Sequence, residues 1–123
     1  MNGNNFLLDT NIVLYLLGGD EVLAEILQGK QIYISFITEL ELYSFRNLSP
    51  SEKAKIDLFI EESIVIDINS EIKKTVVNIR SEKNLKLPDT IIAATSLFLS
   101  IPLITSDKGF MDTKNLDLVL YTN

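Results

Sequence analysis

Short apolar runs alternate along this chain with longer stretches in which apolar and polar residues are mixed. Phe6-Leu7-Leu8, Ile32-Tyr33-Ile34-Ser35, Ile64-Val65-Ile66, Leu103-Ile104-Thr105 and Leu118-Val119-Leu120 have the length and the apolar, partly β-branched content of buried strands. The intervening stretches predict helices. Ile12 to Leu17 reads as a turn or two stopped by Gly18-Gly19, and Asp20 is placed to cap a second helix that runs through about Gln28 and ends at Gly29. A helix is expected from about Thr38 to Phe45. Ser49-Pro50-Ser51-Glu52 supplies a capping serine, a proline at the first helical position and a glutamate at the third, so a helix should start there and continue to about Glu62.

From Ser70 to about Asn84, Ile72, Val76 and Ile79 recur at helical spacing while Lys73, Lys74, Arg80 and Glu82 point elsewhere, the pattern of an amphipathic surface helix. Pro88 opens the last helix. Ile91, Ile92, Ala93, Ala94, Leu97 and Phe98 make it apolar nearly all round, which predicts burial. Apolar strands separated by helices build a parallel sheet covered on both faces, because parallel strands need crossover connections and these are right-handed. The expected fold is therefore a three-layer α/β/α sandwich with a five-stranded parallel sheet. At 123 residues, 46% of them apolar, and with no repeat or linker, one domain spanning 1–123 is expected.

Composition narrows the chemistry. There is no cysteine and no histidine. That removes thiol nucleophiles, disulfides, thiolate or imidazole zinc sites, the Ser-His-Asp triad and any imidazole base. Carboxylates must carry any catalysis. The formal charge of -6 argues against a broad basic nucleic-acid face, and Arg46 and Arg80 are the only arginines. The polar, uncharged start Met1-Asn2-Gly3-Asn4-Asn5 offers no export signal, and the longest apolar stretch, Ile91 to Leu99, is about half a membrane span. A cytoplasmic protein with no membrane association is expected.

Four acids stand where such a fold binds ligands, at strand ends and helix starts. Asp9 follows the first strand, where it could equally cap the next helix. Asp107 follows the fourth, where an aspartate two residues before Gly109 is also ordinary turn chemistry. Glu41 shares a helical stripe with Ile37, Leu40 and Ser44, with a Thr38 to Glu41 capping box as the competing explanation. Asp89 follows Pro88 in the first turn of an apolar helix, where the helix dipole alone would favour an anion. Together the four present hard oxygen ligands suited to Mg²⁺ or Mn²⁺, and their mutual repulsion would be relieved by a cation.

The runs Leu8-Asp9-Thr10-Asn11, Ile37-Thr38-Glu39-Leu40-Glu41-Leu42, Leu87-Pro88-Asp89-Thr90-Ile91-Ile92-Ala93-Ala94-Thr95 and Ile104-Thr105-Ser106-Asp107-Lys108-Gly109-Phe110 resemble, in order and spacing, the PIN-domain nucleases. The resemblance is nearest to the VapC-type toxins of toxin-antitoxin pairs and spans almost the whole chain. It implies strand order 3-2-1-4-5, an RNA substrate, metal-dependent endoribonuclease activity, dimerisation and inhibition by a small antitoxin. By position, Asp9, Glu41, Asp89 and Asp107 look like the family's four acids, with Asp9, Asp89 and Asp107 around the metal. Asn11 looks like a supporting polar group and Thr105 like the hydroxyl beside the metal; Glu39 does not match. Lys86 and Lys108 flank two of the acids and read first as solvated surface lysines. Two other functions remain open at this point: a catalytically idle PIN-like binding module or RNA scaffold, and a receiver-like signalling domain, for which Ile66-Asp67-Ile68 is a loose parallel but Tyr121 to Asn123 holds no lysine.

Overall fold

The computed structural model describes residues 3–123; Met1 and Asn2, the first residues of the polar start, lie outside the described residues. Five parallel strands, β1 (Asn5–Leu8), β2 (Gln31–Ser35), β3 (Ile64–Ile66), β4 (Leu103–Thr105) and β5 (Leu118–Leu120), form one sheet in the order β3-β2-β1-β4-β5. The helices are α1 (Thr10–Leu17), α2 (Glu21–Leu27), α3 (Phe36–Tyr43), α4 (Pro50–Glu62), α5 (Ser70–Glu82) and α6 (Leu87–Leu99). The expected three-layer sandwich and strand order are both present. A receiver-type sheet has order 2-1-3-4-5 instead, so the strand order sets that reading aside.

Neighbouring strand residues serve opposite faces, as the pleat requires. Leu7 and Leu103 join Ile72, Val76, Ile79, Ile92 and Phe110 in the core beneath α5 and α6. Leu8 and Ile104 join Ile12, Val13, Leu23, Ile34, Leu42 and Ile56 on the other side, beneath α1 to α4. Each of the fully buried leucines contributes about 1.5–3 kcal/mol through area removed from water. The two cores clamp β1 and β4 from both sides, and that rigidity is what fixes the positions of the residues at their carboxyl ends.

Caps set the helix starts. Asp20 accepts from the Leu23 amide at 3.0 Å, and Ser49 and Glu52 form the expected reciprocal box, with Glu52 N–H to Ser49 Oγ at 3.1 Å and Ser49 N–H to Glu52 Oε1 at 3.0 Å. The start of α3 differs from expectation. Ser35, at the end of β2, accepts from the Ile37 amide at 3.1 Å and begins the helix at Phe36, so the strand leads straight into it. Thr38 is then inside the first turn and fully buried, and no Thr38 to Glu41 capping box exists. α6 also departs in part. Its middle, Ile92 to Ser96, is buried, but Leu87 and Phe98 near its ends are 50% and 45% exposed. An apolar sequence all round a helix does not guarantee a neighbour on every side.

A candidate acidic active site at the sheet's carboxyl edge

Strand order reverses at β1, whose neighbours are β2 and β4, and a crevice opens beyond the strand ends at such a point. The register Leu8↔Ile104 sets Asp9 beside Thr105, one step further along each strand. The Asp9 amide donates to the Ile104 carbonyl at 3.0 Å, and the Thr105 hydroxyl donates to Asp9 Oδ2 at 2.6 Å. Thr105 Oγ also accepts from the Asp107 amide at 3.0 Å, so one buried hydroxyl connects the first acid to the loop that bears the last.

Asp9 is only 7% exposed. Its Oδ1 accepts from the Thr10 amide at 2.8 Å, so the helix-cap reading of Asp9 holds together with its place in the crevice. Burial pushes its carboxyl above the usual range, against the hydrogen bonds from Thr105 and Thr10, and the charges of Glu41 and Asp107 push the same way. Asp89 is half-buried at the start of α6 and is raised as well. Desolvation is the largest cause, followed by the negative charges of Asp9, Asp107 and Glu41, with Lys86 opposing. The acids therefore feel one another across a common space.

That space is a cleft of about 510 Å³ lined by Asp9, Glu41, Asp89 and Asp107, together with Thr10, Asn11, Leu14, Ile37, Leu40, Ser44, Phe45 and Pro88. The stripe Ile37-Leu40-Glu41-Ser44 lines this cleft; Ile37 also packs against the core, whereas Leu40 is 57% exposed. The Thr10 hydroxyl donates to Glu41 Oε1 at 2.5 Å. Asp107 Oδ1 accepts from the Gly109 amide at 2.8 Å, so the turn role expected of it is also present. Asn11 is exposed on the wall of the cleft, and Lys86 and Lys108 are exposed surface residues. Thr10, which no sequence pattern singles out, and Thr38, expected only as a helix cap, connect α1 to α3: their hydroxyl oxygens lie 3.0 Å apart.

The four acids are brought to one cleft but not into a closed cage: among the described residues, no three acidic side chains stand ready to enclose a metal ion. Glu41 is tied to Thr10 and Asp107 to Gly109. In donor chemistry the set suits a hard divalent cation, since the cleft offers carboxylate, hydroxyl and amide oxygens and no sulfur or imidazole.

The PIN domain family model matches residues 6–116. The chain belongs to the PIN-domain family. A comparison with curated protein sequences finds no match. Among solved structures, this PIN domain is similar to a toxin-antitoxin complex from Klebsiella pneumoniae, with 30% identity, a TM-score of 0.78, and coverage of 92% of this chain and 94% of that one. It is also similar to VapBC-1 from nontypeable Haemophilus influenzae, at 25% identity and a TM-score of 0.74, over 94% of this chain and 97% of that one. DNA-bound VapBC from Salmonella typhimurium shares the fold at a TM-score of 0.80 with 20% identity, over 94% and 96% of the two chains. All four acids lie inside the family match.

Proposed function

We propose that this PIN domain is a Mg²⁺- or Mn²⁺-dependent endoribonuclease and the toxin of a toxin-antitoxin pair. The observation that carries the catalytic reading is the arrival of Asp9, Glu41, Asp89 and Asp107, from four separate parts of the chain, at one cleft beyond the switch point of the sheet. The toxin reading is supported by the 30% identity to a toxin-antitoxin complex over nearly the full length of both chains.

In this reading Asp9, Asp89 and Asp107 hold the cation. When bound, it would lower the pKa of water, orient the scissile phosphate and neutralise charge developing on the non-bridging oxygens. The chain's own residues do the rest. Thr105 fixes Asp9 through Oδ2 and the Thr10 amide fixes it through Oδ1, so the carboxylate is held in one orientation before any ligand arrives. Glu41, exposed on α3, orients the attacking water and accepts its proton. Leu14, Ile37, Leu40 and Phe45 give the cleft apolar walls that limit water around the reacting groups. A small antitoxin and a second copy of the chain are the proposed protein partners.

Incubation of RNA with the protein in Mg²⁺ or Mn²⁺, with EDTA and with Asp89→Asn as controls, tests this. Cleavage that needs the metal and falls by orders of magnitude in the variant is the expected outcome; metal-independent cleavage, or full activity of Asp89→Asn, contradicts it. A second reading, a catalytically idle PIN module that binds RNA or a partner, draws on the lack of a closed acidic cage among the described residues. Under it, divalent ions bring neither cleavage nor a rise in melting temperature.

A further inference from the structure

Resting on the reading of Glu41 as the water-orienting acid, we infer that Thr10 is a positioning residue that aims Glu41, with the buried Thr38 as its support. Thr10 donates twice, in two directions. Its backbone N–H goes to Asp9 Oδ1 at 2.8 Å and its hydroxyl goes to Glu41 Oε1 at 2.5 Å. One residue thus spans the strand-end acid and the helix acid, which are 32 positions apart in the chain.

Glu41 needs such a tether. It is exposed on α3, no other hydrogen bond to its carboxylate is found among the described residues, and a free glutamate side chain samples several rotamers. Charge repulsion from Asp9 and Asp89 would otherwise swing it out toward solvent. Thr10 Oγ lies 3.0 Å from Thr38 Oγ, and Thr38 is fully buried in the first turn of α3, one turn before Glu41. β-branched threonine is stiff about χ1, so a hydroxyl anchored in this way points in one direction. Thr10 and Thr38 therefore fix both the spacing of α1 from α3 and the direction of the Glu41 carboxylate. Only the second role bears on chemistry.

The test compares wild type with Thr10→Val, which keeps the shape and removes the hydroxyl, and Thr10→Ser, which keeps the hydroxyl. Crystal structures of all three give a readout that does not need activity: Glu41 should hold one rotamer beside residue 10 in wild type and Thr10→Ser, and turn away or split in Thr10→Val. In RNA cleavage, kcat should drop about tenfold in Thr10→Val with KM within about twofold, and recover in Thr10→Ser, as expected for loss of one hydrogen bond to a charged group. An unmoved Glu41 in Thr10→Val, or equal damage in Thr10→Ser, overturns the inference. If wild type cleaves no RNA, the nuclease proposal fails, while the Glu41 rotamers still decide whether Thr10 aims it. Should Thr10→Val not fold, Thr10→Ala takes its place in the same comparison.

Discussion

Asp9 serves three structural purposes with one carboxylate: it caps α1, receives the Thr105 hydroxyl and lines the cleft. Its raised pKa, and that of Asp89, means that the ionised form is disfavoured by the fold. For a group raised in this way, stability is fully present below the unfolded-chain pKa and is lost as pH climbs through the folded value. In buffer free of divalent ions, Asp89→Asn, whose carboxylate accepts no hydrogen bond among the described residues, should therefore melt higher than wild type at pH 7, and the advantage should shrink as pH falls through the carboxylate range. Thermal melts of both proteins across pH 4 to 8 check this, and a gap that stays constant with pH contradicts it. Glu39→Gln should leave cleavage within about twofold of wild type, since Glu39 is absent from the cleft wall. Asp9 and Asp107 stood out in the sequence because one directly follows an apolar strand and the other comes two residues after one. The contact between Thr10 and Thr38 did not, because it depends on how α1 passes α3, which no local spacing encodes.

At the scale of elements, the same distinction recurs between what a pattern says about one segment and what it says about that segment's neighbours. The Ser49-Pro50-Ser51-Glu52 signal is purely local, and it appears in the structure as read. Ser49→Ala should lower stability by about 1 kcal/mol by freeing amides at the start of α4. This would be seen as a lower denaturant midpoint with an unchanged slope, and cleavage should be unaffected because α4 lends no residue to the cleft. The start of α3 was misplaced because two serine or threonine caps compete there, and the choice of Ser35 follows from β2 running directly into the helix. Likewise, periodicity grouped Ile37, Leu40, Glu41 and Ser44 on one face but could not say that the face meets a cleft. The exposed ends of α6 show the same limit: Phe98 is apolar, yet it stands at 45% exposure.

At the scale of the whole molecule, a formal charge of -6 and an acidic cleft disfavour the approach of a polyanion. A divalent cation in the cleft would reverse the local sign where a phosphate must sit. Among the described residues, no helix is long and apolar enough to cross a membrane. If the cation binds the folded chain alone, Mn²⁺ at a hundred times its dissociation constant should add about 2.7 kcal/mol of stability, and Asp9→Asn should lose that gain. The measurement that bears most directly on the account is an anomalous-difference map from a crystal of the protein soaked in Mn²⁺. The expected result is a peak in the cleft within coordinating distance of Asp9 and at least one of Asp89 and Asp107; an empty cleft at saturating Mn²⁺, or a peak held by other residues, would contradict the claim that these acids share a cation.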